Sequence, residues 1–189
     1  MIDFLRQSWT GLRALLVLTA LLGIAYPVVV WGIGRVAFAD QAAGSPVTVQ
    51  GRLVGSSLIG QQVEGDRWFH GRPSANDNNG LASGASNLGP SNPKLITEIA
   101  ERRAAVAKAE GVPADQVPAD AVTASGSGLD PDISPEYAAL QVPRVARARG
   151  LSEQQVRALV AAHTQGRTLG LLGEPRVDVL QLNLALSRI

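Results

Sequence analysis

The stretch ALLVLTALLGIAYPVVVWGIG, Ala14 to Gly34, decides how the rest of the chain is read. Its 21 residues carry no charged side chain. As an α-helix they extend about 30 Å, the thickness of a bilayer's hydrocarbon core. Trp9 stands just before the stretch, and Tyr26 and Trp31 stand towards its far end, where amphipathic rings suit a membrane–water interface. Pro27 removes a backbone N–H and crowds the preceding turn, which is costly in water but tolerated in a membrane helix. The sequence therefore predicts a transmembrane helix over 14–34, with 1–13 before it and 35–189 after it.

A buried core helix of a soluble domain fits that length poorly. A cleaved signal peptide is the sharper rival, because Ala37-Phe38-Ala39 has the small-residue pattern of a cleavage site and would leave a chain starting at Asp40. Signal cores run about 7–15 apolar residues, so the longer stretch favours an uncleaved anchor. Arg6 and Arg13 precede it, while Arg35 follows with Asp40 close by. That bias places the N-terminus in the cytoplasm and the remaining residues outside.

The whole chain has 189 residues, a formal net charge of +1 and no cysteine. Near-neutral charge argues against nucleic acid as the main partner. Without cysteine there is no disulfide framework, thiolate chemistry or cysteine-held zinc. Residues 35–189 suffice for one globular domain. VTVQGRLVG (Val47 to Gly55) alternates like a strand, and DRWFHGRPSA (Asp66 to Ala75) reads as another extended piece. The polar loop NDNNGLASGASNLGPSN follows, of a kind that is often functional.

Helices dominate the remainder. Asn92 and Pro93 predict a start and Gly111 a stop, with Leu95, Ile96, Ile99 and Val106 near one face. Ser152 with Gln155 has the spacing of a capping box, with Val156, Leu159, Val160 and His163 in helical register and Gly166 as the stop. In VDVLQLNLALSRI alternation suggests a strand, yet Asp178 suits a helix cap, and a helix is the expectation. The fold class predicted is α+β: one transmembrane helix followed by a single mixed domain.

The stretch ASGSGLDPDISPE, Ala124 to Glu136, invites chemical readings. A phosphate loop fails, since Gly126 and Gly128 are too close and no lysine follows. A calcium loop starting at Asp130 meets Pro135 and Gln141 where glycine and glutamate belong. A hydrolase elbow on Ser127 meets Ser125 instead of glycine, and only His70 and His163 exist as bases. The plain reading is a turn into a helix, with Ser134 as cap, Pro135 first, Glu136 in the first turn, a kink at Pro143 and Gly150 as the end. Ser125, Ser127, Asp130 and Asp132 nevertheless offer hard oxygen atoms to a cation or partner. Arg144 and Arg147 share a helix face with Tyr137 and Gln141, expected as a solvated basic face or a docking surface.

The ordered blocks SSLIGQ, WFHGRPSA, SGASNLGPSNP, VPADAVTASGSGLDPDISP, QVPRVARARG and GEPRVDVLQLNLAL resemble the C subunit of the Kdp-type potassium-transporting ATPase over essentially the whole chain. Ala85, Asp132, Asp178 and Gln181 depart from the family's usual residues. The resemblance implies a non-catalytic accessory subunit of an ATP-driven potassium importer in a bacterial inner membrane, with the domain in the periplasm. It implies as partners a channel-like potassium-translocating subunit, a P-type ATP-hydrolysing subunit, a small single-span subunit and membrane lipid. It also implies a catalytic-chaperone role, raising the pump subunit's affinity for ATP, with ATP and potassium as ligands of the complex. The contact residues expected are Ser125, Ser127, Asp130, Asp132, Gln141 and Arg144, and those for membrane packing are Gly23, Ala25, Gly32 and Gly34. No catalytic or metal-ligating residue is assigned. The alternative is an envelope binding module, secreted or anchored, outside any pump.

Overall fold

The computed structural model describes residues 2–189, in two units divided between Pro46 and Val47. The first unit is a helix running without interruption over Ile2–Ala37, longer at both ends than the apolar stretch. It comprises α1 (Ile2–Leu18), a π-helical segment (Thr19–Ala25) and α2 (Tyr26–Ala37), followed by the single turn α3 (Ala39–Ala42). None of its residues is buried. Its apolar window has a mean hydropathy of 2.3, so by length and composition it is a candidate membrane span. The π turns lie immediately before Pro27, whose ring crowds the carbonyl four residues back. Widening the preceding turns relieves that crowding, and the Tyr26 N–H bonds Leu21 O, five residues back.

The second unit, Val47–Ile189, is a mixed helix and strand domain, consistent with the α+β expectation. The single strand expected over 47–55 is instead a hairpin of β1 (Pro46–Val49) and β2 (Arg52–Ser56). Gln50 and Gly51 both take positive φ, 50° and 77°, the combination that a two-residue type I′ turn requires.

Helix α4 (Pro93–Glu110) starts where Asn92 accepts from the Lys94 N–H and ends at left-handed Gly111. Leu95, Ile99 and Val106 are half-buried on it, but Ile96 is exposed. Helix α5 (Pro135–Arg149) is capped by Ser134, accepting from the Tyr137 N–H, and ends at left-handed Gly150. The reciprocal Ser152–Gln155 box opens α6 (Glu153–His163). This helix stops three residues before Gly166, because Thr164–Gln165 leave it as strand β4. A small antiparallel sheet then forms in the order β3 (Asp132–Ile133), β5 (Arg176–Asp178), β4. Both readings of the C-terminal stretch hold in part. Asp178 closes β5 and also caps α7 (Val179–Leu186), accepting from the Gln181 N–H at 2.9 Å.

Phe69, Val142, Val145, Val156, Val177, Leu182 and Leu186 are all removed from water and form the centre of the core. Phe69 belongs to the DRWFHGR segment, expected to be extended, which opens on a turn at Asp66-Arg67 and pairs with no strand. Side-chain amides take the place of a neighbouring strand. Asn183 of α7 accepts from the Phe69 N–H and donates to its carbonyl, both at 2.9 Å. Gln141 of α5 does the same for His70, at 2.7 and 3.0 Å. Two consecutive residues are thus held as a ladder would hold them, with the N–H and carbonyl of both paired.

Candidate functional site

Gly128 is where the ASGSGLDPD loop crosses the polar loop after Pro73. It has φ of +70°, and a Cβ there would meet Asn76 Oδ1 and, at 2.7 Å, Gly84 O. Glycine is required on both counts. The crossing is stitched by main-chain bonds from the Ser125 N–H to Pro73 O (2.9 Å) and from the Gly84 N–H to Ser127 O (2.8 Å). Ser74 Oγ donates to Gly128 O at 2.7 Å. A third loop joins through the Gly60 N–H, which bonds Leu129 O at 2.8 Å. A Cβ on Gly60 would lie 2.7 Å from Asp130 O.

Within this crossing Ser125 is buried, and its Oγ accepts from the N–H groups of Gly128 and Asp130 at 3.1 and 3.3 Å. Ser127 is exposed, with Oγ accepting from the Leu129 N–H at 3.0 Å. Asp130 pairs with Arg72 at 2.8 Å and accepts from the Asp132 N–H at 3.1 Å. Asp132 meets Arg176 at 3.2 Å. Burial raises the Asp132 carboxyl above its usual range; Arg176 opposes the shift, while Asp130 and Asp178 add to it.

Two cavities flank the crossing and share Arg72 as a wall. One, of about 470 Å³, is lined by Asp120, Asp130, Asp132, Glu174 and Arg176. The other, of about 240 Å³, includes Gln61, Glu64, His70, Ser74 and Asp77. Much of the charge here is already committed: Asp120 accepts from both the N–H and the hydroxyl of Ser134, at 2.7 and 2.9 Å. The arrangement presents paired charges and exposed hydroxyls, suited to polar contact with a neighbour. Among the described residues no group of three or more His, Cys, Asp or Glu is placed to hold a metal.

Gln141 and Arg144 correct the expectation of an exposed basic face. Gln141 is fully buried and Arg144 is 6% exposed. Arg144 Nε donates to both carboxylate oxygens of Glu110, at 3.0 and 3.1 Å. Its Nη1 donates to Asp66 O and Trp68 O, and its Nη2 to Gln141 Oε1. Of the four residues on that face only Arg147 is exposed, since Tyr137 is buried and burial pushes its hydroxyl up to about 12. The Glu110 carboxyl is raised by burial, against the pull of Arg144. His70 is lowered by burial and by Arg144, and its Nε2 lies 3.1 Å from Gly65 O. His163 Nδ1 likewise sits 2.9 Å from Leu159 O, so both imidazoles are tied to main-chain carbonyls.

Sequence reasoning missed Arg72, Glu110 and Asn183. Asn183 alone left a trace, as an amide within the apolar run VLQLNLAL. In the helical unit, Gly23 and Ala25 fall in the π segment, while Gly32 and Gly34 fall in α2. Gly23 and Gly32 are open to neighbours, with nothing closer than 3.8 Å to a Cβ at Gly23 and nothing within 4 Å at Gly32.

A family described as K+-transporting ATPase, c chain, matches residues 8–188, through helix and domain alike. The chain belongs to this family. It is 57% identical to the potassium-transporting ATPase KdpC subunit of Kineococcus radiotolerans, over 97% of this chain and 94% of the relative. It is also 57% identical to the corresponding subunit of Sorangium cellulosum, covering 94% and 95%. The subunit of the same name from Mycobacterium bovis is 51% identical, covering 97% and 99%.

Proposed function

We propose that this chain is the membrane-anchored, non-catalytic C subunit of an ATP-driven potassium importer. The observation that carries this reading is the unbroken family match, which spans the exposed apolar helix and the polar domain together. The helix crosses the inner membrane, with the N-terminus in the cytoplasm and the domain in the periplasm. Arg6 and Arg13 before the apolar stretch support that orientation. The partners are a potassium-translocating subunit, a P-type ATP-hydrolysing subunit and a small single-span subunit. The helix meets their spans through Gly23, Ala25, Gly32 and Gly34, where backbones can approach closely.

The crossing at Gly128 contacts the translocating subunit. Exposed Ser127 and half-buried Asp130 and Asp132 carry the contact, buried Ser125 holds the shape of the crossing, and buried Gln141 and Arg144 hold the neighbouring 66–70 segment. An outward domain raises the ATP affinity of the pump subunit only through a two-state element that both sites bias. A free-standing envelope module is not favoured, because the family match begins at residue 8 and continues through the domain.

The test joins co-purification with topology. A tagged full-length chain brings down the three partner subunits and restores growth at low potassium. Leu81→Cys, at a position 98% exposed, reacts with a membrane-impermeant maleimide in intact cells. Failure to recover any partner refutes the subunit reading, and labelling only in inside-out vesicles reverses the orientation.

A further inference from the structure

The π-helical segment leaves a main-chain acceptor without a donor in the middle of the apolar stretch. The two N–H groups a helix would offer Leu22 O are those of residues 26 and 27. Tyr26 gives its N–H to Leu21 O, and Pro27 has none. A short hydroxyl three or four residues ahead would be the usual local remedy, but those positions are Ala25 and Tyr26, and the tyrosine hydroxyl is carried outward by its ring. Thr19 lies behind the carbonyl, and a threonine hydroxyl in a helix reaches back to the carbonyls preceding it. Nothing in this helix therefore supplies Leu22 O with a hydrogen bond, and hydrocarbon offers no water.

The helix surface at the next residue, Gly23, is open. Thr19 stands about one turn before Gly23, and Tyr26 about one turn after Leu22. Gly23 has no side chain there, and only Thr19 Cγ2, 3.8 Å from where its Cβ would stand, borders the gap. A neighbouring helix can reach the main chain at this point.

We infer that the π turn is a docking notch for one membrane helix of another subunit, which brings a hydroxyl or amide side chain to donate to Leu22 O. This rests on the reading of the chain as a subunit of a membrane complex. A second copy of this chain is disfavoured as occupant. Its one polar side chain between Arg13 and Tyr26 is Thr19, so two parallel copies in register would hold the hydroxyl most of a turn away from Leu22 O.

The test uses the whole complex in native membranes. A short-range diazirine residue replaces Leu22 in one version and Ile24, on the far side of the helix, in another. The notch predicts an adduct between position 22 and another subunit, with position 24 yielding lipid adducts. Lipid adducts alone at position 22, or an adduct between two copies of this chain, overturn it. Pro27→Ala, which returns an N–H and a regular turn, and Gly23→Ile, which fills the gap, each lower the complex recovered per chain in the membrane by roughly 3- to 20-fold. Unchanged recovery with both variants overturns the notch while leaving the subunit reading intact. If the unaltered chain recovers no other subunit, the subunit reading itself falls.

Discussion

Glu110 at the end of α4 and Arg144 in the middle of α5 form an ion pair with side chains only 3% and 6% exposed, so two helices are locked through a charge that water hardly reaches. Removing one partner leaves the other charged and unpaired inside the domain. Arg144→Ala or Glu110→Ala should each cost about 3–5 kcal/mol. The double change to Met and Leu should recover much of that loss, because well-packed apolar groups can replace a buried pair. Denaturant midpoints of the detergent-purified chain check both outcomes.

Asn183→Ala removes both hydrogen bonds to the main chain of Phe69 and leaves its N–H and carbonyl buried without partners. The expected destabilisation is about 1–3 kcal/mol per unsatisfied group. Hydrogen exchange at the Phe69 amide should accelerate far more than at α6, which makes none of these bonds. Equal acceleration everywhere would mean that the variant merely lowers global stability.

Gly128→Ala and Gly60→Ala drive a methyl into neighbouring main-chain oxygens, whereas Gly126→Ala meets nothing within 4 Å. The first two should each cost upwards of about 1 kcal/mol, with Gly128 the worse because its φ is also positive. Gly126→Ala should be close to neutral. Thermal unfolding of the three variants side by side tests whether the loop crossing is the rigid element described.

The pH dependence has two limbs of opposite sign. His70 is lowered in the folded chain, so between that value and the ordinary 6.5 the unfolded chain binds more protons. Stability contributed by its neutral form is therefore present above pH 6.5 and lost as the pH falls through this window. Asp132 is raised, so the folded chain holds the extra proton, and stability falls as the pH rises from its ordinary 3.8 to the raised value. His70→Gln should flatten the upper limb and Asp132→Asn should lessen the lower one, to which raised Glu110 and Asp178 also contribute, as measured by unfolding free energies across about pH 3.5–7.5.

Local signals carried most of the helix map. Ser134 with Pro135, Asn92 with Pro93, Ser152 with Gln155, and the left-handed glycines 111 and 150 each act within one turn, so their meaning is visible in the sequence. The hairpin at Gln50-Gly51 was missed because alternation continues across a tight turn as though the strand were unbroken. Arg144 and Gln141 were misread for a different reason. A cation and an amide on a helix face look solvated until the segment they clasp, more than seventy residues away, is known. Nor does the sequence reveal which side chains replace a missing strand, since such pairing has no period.

The clasp on Phe69 also fixes an order of events. Its two bonds join residues 114 positions apart, the later of them on α7. During synthesis the apolar helix precedes the Phe69 segment, and the group that completes that segment emerges 114 residues after it. Contacts this remote in sequence close late. The domain thus waits half-built, with its central aromatic uncovered, until α7 has emerged. A chain cut short before α7 would carry its apolar helix intact and still never finish its core.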